Sequence, residues 1–166
     1  GGDGNDYIYN EISRRYDDET GEYYETLTPE NVTINGGNGD DHIENQIDNV
    51  TINGGADDDN VRNEGASSII DGGDGDDNIY NYGEDVSITG GAGDDSINNS
   101  GANVLINFTG GVDSVWGFNE TSRLNTAAGA SSVRVDGDIV VTVGDDKIIL
   151  VDAASLVAPN FDDRDQ

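Results

Sequence analysis

The sequence has no cysteine and no methionine, only two prolines, one tryptophan and one histidine in 166 residues. Without cysteine no disulfide can staple the chain, and neither redox compartment is indicated. Hydrophobic residues make up 33%, below the roughly 45–50% of ordinary globular chains even though that figure also counts glycine. A thick core of the kind found in a large sandwich or an α/β enzyme is therefore not expected. No apolar run approaches the roughly 20 residues that span a bilayer. Basic residues number 7 against 35 acidic ones, a net charge of −28. So acidic a chain repels nucleic acid and anionic membrane surfaces, and neither nucleic-acid binding nor membrane insertion is expected.

What is abundant is acid and glycine, the latter at 24 positions. An acidic, hydrophilic chain is ordinarily disordered, because it cannot bury enough apolar surface to offset its ordering entropy. The alternative is that a cation supplies the missing neutralisation. Internal repeats decide between the two.

Aligned with itself, the chain contains GGDGNDYIY (1–9), GGNGDDHIE (36–44), GGADDDNVR (54–62), GGDGDDNIY (72–80) and GGAGDDSIN (90–98). The starts at 36, 54, 72 and 90 are eighteen residues apart, and one more step reaches FTGGVDSVW (108–116), which keeps Gly111, Asp113 and Val115 in register. Between the nonapeptides lies a second half-repeat ending NVTIN (31–35), NVTIN (49–53), SSIID (67–71), DVSIT (85–89) and NVLIN (103–107). A short fixed period signals a solenoid.

Each half-repeat carries a strand of period two. The apolar position of the first is Ile8, Ile43, Val61, Ile79, Ile97 and Val115; the second has Val32/Ile34, Val50/Ile52, Val86/Ile88 and Val104/Ile106. β-Branched residues suit a pleated strand, and no helical apolar stripe occurs. Two short strands per turn, stacked at roughly 4.8 Å, give a thin core of Ile and Val. Columns of Asn follow, at 10, 45, 63, 81 and 99, and at 35, 53 and 107 with Asp71 and Thr89 interrupting. Stacked amides of this kind can form a hydrogen-bonded ladder.

The first interval, Gly1 to Gly36, is too long for one turn. Its surplus, within 13–29, sets Arg14, Arg15 and Tyr16 against Tyr23, Tyr24 and Thr26 around a Gly turn, the pattern of a protruding hairpin.

The sixth place of every nonapeptide is Asp: Asp6, Asp41, Asp59, Asp77, Asp95 and Asp113. Stacking carboxylates near 4.8 Å apart is unfavourable unless positive charge lies between them. The glycines let the corner adopt positive φ and turn carbonyl oxygens inward. Carboxylate and carbonyl oxygens without His or Cys make the ligand set of a hard cation, and flexible main-chain loops suit Ca²⁺ better than Mg²⁺. Metal binding and folding are then expected to be coupled.

These nonapeptides resemble the GGxGxDxUx repeat of the RTX (haemolysin-type) Ca²⁺-binding family; four of them match every fixed position, and the repeats cover 1–116. The resemblance implies a right-handed parallel β-roll, an all-β solenoid, with ions between adjacent loops on one side. It also implies ligands drawn from the motif Asp and the corner carbonyls. By position these are Asp6 with Gly1, Asp3 and Gly4; Asp41 with Gly36, Asn38 and Gly39; Asp77 with Gly72, Asp74 and Gly75; and Asp95 with Gly90, Ala92 and Gly93. The degenerate loops contribute Asp59 with Gly54, Ala56 and Asp57, and Asp113.

Three features depart from the family. Asp57 replaces the fourth Gly, which strains that corner or adds a carboxylate. Phe108-Thr109 replaces the opening Gly pair of the last nonapeptide. The second half-repeat lacks the motif that the family commonly carries on both sides, so a single row of three to five Ca²⁺ ions is expected beside a metal-free edge. The segment 113–129 resembles the closure of such arrays. After it, Asp136-Gly137 and Gly144-Asp145-Asp146 read as hairpin turns, with Val133/Val135, Val141/Val143 and Ile148/Leu150 covering the open end. One of Trp116 and Phe118 is expected over the core stack. The expected organisation is a roll over 1–116, a β cap over 117–154 and a linker over 155–166.

Enzyme is the weakest functional class. His42 is an outward strand residue, the pairs Asp40/Asp41 and Asp94/Asp95 are explained by the repeat, and no GxSxG or HExxH motif occurs. The outward column Thr33, Thr51, Ile69, Ser87 and Leu105 is too broken for an ice-binding face. The chain opens inside a motif and reads as a segment of something longer. The resemblance implies a non-catalytic module of a secreted or surface-attached bacterial protein, exported unfolded and folded outside by millimolar Ca²⁺. The alternative is a segment of a self-assembling surface layer, fibre or adhesin stalk. Partners would be neighbouring domains or copies of the same chain, end to end.

Overall fold

The structure, a computed structural model, describes residues 1–12, 14–17, 22–25, 31–126, 130–135 and 137–153. The expected linker at 155–166 lies outside them, and so does Thr26. No α-helix occurs among the described residues. The chain winds as a β-solenoid with eighteen-residue spacing, and each turn lays one strand on each of two parallel faces.

The first face is a seven-stranded sheet. Its strands are β1 (Gly2–Asp3), β5 (Thr33–Asn38), β7 (Thr51–Ala56), β9 (Ile69–Asp74), β11 (Ser87–Ala92), β13 (Leu105–Asn107) and β15 (Arg123–Asn125). The second sheet has nine. β2 (Tyr7–Asn10), β6 (His42–Asn45), β8 (Asn60–Asn63), β10 (Asn78–Asn81), β12 (Ser96–Asn99) and β14 (Val112–Trp116) pair in parallel. β16 (Ser131–Val135), β17 (Asp138–Val143) and β18 (Asp146–Leu150) then extend this sheet beyond β14.

Register is set by the branched residues. Ile34, Ile52, Ile70, Ile88, Ile106 and Leu124 stack on one face. Ile8, Ile43, Val61, Ile79, Ile97, Val115 and Leu150 stack on the other. All are buried except Ile8, in the first turn, which is partly covered. Full burial of each such side chain stabilises by about 2 kcal/mol. Where the third turn has Ser68 in place of Val, its hydroxyl is buried yet bonded, donating to the Ala66 carbonyl (3.3 Å) and accepting the Val50 N–H (3.4 Å).

The pairing β13–β15 adds half a turn that the sequence pattern hides. TSRLN (121–125) stands eighteen residues after NVLIN, with Ile106 opposite Leu124 and Asn107 opposite Asn125. Only the Leu and the terminal Asn keep the consensus, which is why it reads as part of a closing segment.

The insertion forms β3 (Arg14–Asp17) and β4 (Glu22–Glu25), an antiparallel pair with Arg15 opposite Tyr24 and Tyr16 opposite Tyr23. At the other end β16 pairs antiparallel with β17 and β17 with β18, the latter two joined by the turn at 144–145, while Asp136 of the other expected turn lies outside the described residues. Val141, Ile148 and Leu150 point inward as expected, joined by Ile139, while Val143 is partly buried. Val133 does not: it pairs with Val140 and is 57% exposed. Val135 pairs with Asp138 and Val133 with Val140, and that phase sends Val133 to the outer face. Of the two aromatics after the last nonapeptide, Phe118 covers the core and Trp116 remains 39% exposed.

One Asn column forms the expected ladder. Asn10, Asn45, Asn63 and Asn81 each donate from Nδ2 to Oδ1 of the next, ending at Asn99, at 2.7–2.9 Å. The second column is exposed at Asn35 and Asn53 and contains the bond from Asn125 Nδ2 to Asn107 Oδ1 (3.1 Å).

Candidate metal centre

Each nonapeptide turns a corner between the two sheets before entering its strand. The second Gly of the corner requires its conformational freedom: Gly37, Gly55, Gly73 and Gly91 have φ between 121° and 132°. The first Gly is required by space instead. A Cβ on Gly36 would lie 2.3 Å from Asp41 Oδ2 and 2.3 Å from the Gly54 carbonyl oxygen. The same cradle recurs at Gly1, Gly54 and Gly72, each facing Oδ2 of its own motif Asp and the carbonyl of the next turn's first Gly. At Gly90 the nearest atoms all belong to Asp95, since the next turn opens with Phe108 in place of Gly.

The motif aspartates therefore stand in a buried row. Asp41, Asp59, Asp77, Asp95 and Asp113 are 1–3% exposed, and Asp6, in the first turn, is half-buried. One oxygen of each carboxylate is used. The backbone N–H groups of Asp6, Asp41, Asp59, Asp77 and Asp95 donate to Oδ1 of the following motif Asp, at 2.7–3.1 Å. The other oxygen is not used. Oδ2 of Asp41, Asp59, Asp77 and Asp95 is buried without a hydrogen-bond partner.

An unpaired carboxylate in such a place resists ionisation. Burial pushes the Asp59 carboxyl up from 3.8 to about 6, and those of Asp77 and Asp113 to about 7. Asp95 moves in the same direction for the same first cause. In every case the N–H bond from the preceding turn opposes the shift, while the neighbouring carboxylates add to it.

The remaining corner residues are placed differently. The carbonyls of Asn38, Ala56 and Ala92 accept the N–H of Gly4, Gly39 and Gly75 from the preceding turn, at 2.8–3.1 Å. Each keeps a second lone pair. Asp3 and Asp74 are exposed, and Asp3 accepts from Asn38 Nδ2 at 2.9 Å. Asp57 takes the strained option for its corner, with φ at 77°, and its Oδ2 accepts the Gly39 N–H at 3.1 Å. Its carboxylate thus joins the preceding corner and not the buried row. The lone His42 sits outside, stacked on Tyr7 and 3.0 Å from Glu44 Oε1.

A second acidic ladder escaped the sequence reading. Oδ1 of Asp40, Asp58, Asp76 and Asp94, all exposed, accepts the N–H of the next turn's fifth position at 2.8–3.3 Å. It runs opposite to the buried row, which binds backward. The recurrence of Asp at the fifth place of four nonapeptides was the available signal.

Among the described residues, no three His, Cys, Asp or Glu side chains converge as a metal-holding group. Any cation here would take single carboxylate oxygens from the row and main-chain carbonyls, an all-oxygen set. The residues fit a hard cation on two counts: the buried Oδ2 atoms have no partner, and those of Asp41, Asp59 and Asp77 face a carbonyl across a gap that no side chain fills. No protein-family model matches the chain, and no curated protein matches it.

Proposed function

We propose that this solenoid is a Ca²⁺-dependent structural module of the RTX type, part of a secreted or surface-attached protein, and that it has no catalytic role of its own. The observation that carries the reading is the row of buried, partnerless Oδ2 atoms at Asp41, Asp59, Asp77 and Asp95. A buried charge without a partner costs several kcal/mol, and here that cost repeats at every turn. Oδ2 of Asp6, Asp41, Asp59 and Asp77, with the carbonyls of Gly36, Gly54, Gly72 and Gly90, would hold the ions. Bound Ca²⁺ would supply the positive charge that the row lacks. The chain's own part is to hold these oxygens in register with the N–H-to-Oδ1 bonds and to exclude water with the glycine corners. Weak sites of this sort fill in millimolar extracellular Ca²⁺ and stay empty in the cytosol, which supports folding after export.

The test is a Ca²⁺ titration followed by circular dichroism, with Mg²⁺ in parallel. The chain should gain β-structure in millimolar Ca²⁺, lack most of it in chelator, and respond little to Mg²⁺. The variant Asp77→Asn separates ligation from packing. It keeps the shape and removes the charge, so it should stabilise the metal-free roll while raising the Ca²⁺ midpoint several-fold. An unchanged midpoint, or a chain equally folded in chelator, would remove Ca²⁺ from the reading.

A further inference from the structure

The strands that follow the last turn do not end the second sheet; they move its edge. β18 pairs with β14, β17 with β18 and β16 with β17, and among the described residues β16 is terminal. Its Ser131, Ser132 and Val133 are all exposed. An open strand edge with an apolar residue at its centre is a template for another strand.

The outer face beside this edge differs from the rest of the sheet. Over the repeats the outward residues are polar or tyrosine: His42, Glu44, Asn60, Arg62, Asn78, Ser96 and Asn98, with Tyr7, Tyr9 and Tyr80, all of which carry a hydrogen-bonding group. Over the last strands Val133, Val140 and Ile149 stand in one register across β16, β17 and β18, with Trp116 and Val112 exposed nearby on β14. The exposed acidic ladder runs along the glycine corners and reaches this face only at its far side, where Asp94 Oδ1 accepts the Val112 N–H at 2.8 Å; among the described residues β16 carries no carboxylate, and the exposed charge on β18 is Lys147.

We propose that β16 is a self-association edge, pairing antiparallel with β16 of a second copy about a two-fold axis at Val133. Charge selects the partner. At −28 the chain repels its own copies wherever the carboxylate rows face outward, and β16 is an edge that carries none. The segment Ser131-Ser132-Val133-Arg134-Val135 is self-complementary about its centre. Val133 meets Val133, Ser132 meets Arg134 and Ser131 meets Val135, so no like charges are opposed. The apolar strip then continues unbroken from Ile149 of one copy through both Val133 residues to Ile149 of the other. Such a two-fold contact closes on itself and yields a dimer, not a fibre. With one short strand from each side the interface is small, so the dimer is weak and concentration-dependent.

The absence of native cysteine makes the test direct. In sedimentation velocity on the full chain, under conditions where circular dichroism shows it folded, the mass should rise from monomer to dimer with concentration. Val133→Lys should hold it monomeric with an unchanged spectrum, because this side chain lies outside the core. Under oxidation Val133→Cys should form a disulfide-linked dimer, while Val112→Cys, on the same face but away from the axis, should not. A wild-type chain that stays monomeric, a dimer that survives Val133→Lys, or equal cross-linking at Val112 and Val133 would each overturn the proposal. The readout is association and not Ca²⁺ affinity, so it fails separately from the metal reading.

Discussion

Two buried polar columns run the length of the solenoid, one at each end of the second-sheet strands, and they solve the same problem differently. Asn45 closes β6 and Asp41 precedes it; both are nearly inaccessible. In the Asn column every capacity is used. Asn45 donates to Asn63 Oδ1 and to the Ile47 carbonyl, and its own Oδ1 accepts from Asn10 Nδ2 and the Ile47 N–H. The pattern repeats in full at Asn81, and Asn99 closes the column, accepting from Asn81 Nδ2 and the Gly101 N–H and donating to the Gly101 carbonyl. An amide is donor and acceptor together, so a stack of amides satisfies itself. A carboxylate only accepts. Its row borrows one N–H per turn from the backbone, and the second oxygen remains unpaired. One edge is therefore complete without help, and the other is a demand for positive charge or protons.

The largest way to break this contrast is to block the acidic edge with volume. Gly72→Ala places a Cβ 2.2 Å from Asp77 Oδ2 and 2.3 Å from the Gly90 carbonyl, and should cost about 4 kcal/mol or more. Gly110→Ala, with open space around it, should be tolerated. Denaturant unfolding of the two variants measures the difference. Next comes an exchange of chemistry. Asn81→Asp converts one rung of the neutral ladder into a buried carboxylate facing Asn99 Oδ1 and the Gly83 carbonyl, where Nδ2 now donates. It should destabilise by about 3 kcal/mol at neutral pH, whatever the Ca²⁺ concentration. A loss that Ca²⁺ restores would show that the two edges are not chemically distinct.

Protons sharpen the comparison further. Asp59, Asp77 and Asp113 hold protons to about pH 6–7 in the fold, against 3.8 as the ordinary value. Between these limits the folded chain binds more protons than the unfolded one, so stability falls as pH rises. In chelator the fraction of β-structure seen by circular dichroism should therefore be higher at pH 5 than at pH 8, and a flat profile would contradict the burial of these carboxylates. The smallest effect belongs to the exposed side chains. Arg62 pairs with Glu64 and lies over the Tyr82 ring at 4.9 Å, yet Arg62→Ala should change stability in saturating Ca²⁺ by only about 0.5–1 kcal/mol, as denaturant unfolding would measure.

Much of the molecule is legible from its spacing. The Ile and Val stacks, the Asn ladder, the pairing of 14–17 with 22–25, the antiparallel pairs over 131–150 and the turn at 144–145 all follow from a period of eighteen and from local turn chemistry. They are legible because in a solenoid each residue meets its own counterpart one turn away, so contact is written as periodicity. Where the counterpart was disguised, as in TSRLN, the pattern failed although the pairing persisted.

By itself the sequence determined that the chain is all-β, that its core is a thin stack, and that a row of motif aspartates shares one corner. Only the tertiary structure decided which oxygen of each aspartate is satisfied. That depends on an N–H of the preceding turn and on a glycine whose missing Cβ leaves Oδ2 opposite a carbonyl. It likewise decided that Val133 faces outward, since alternation along a strand sets which residues share a face, and only pairing across the hairpin sets which face is the core.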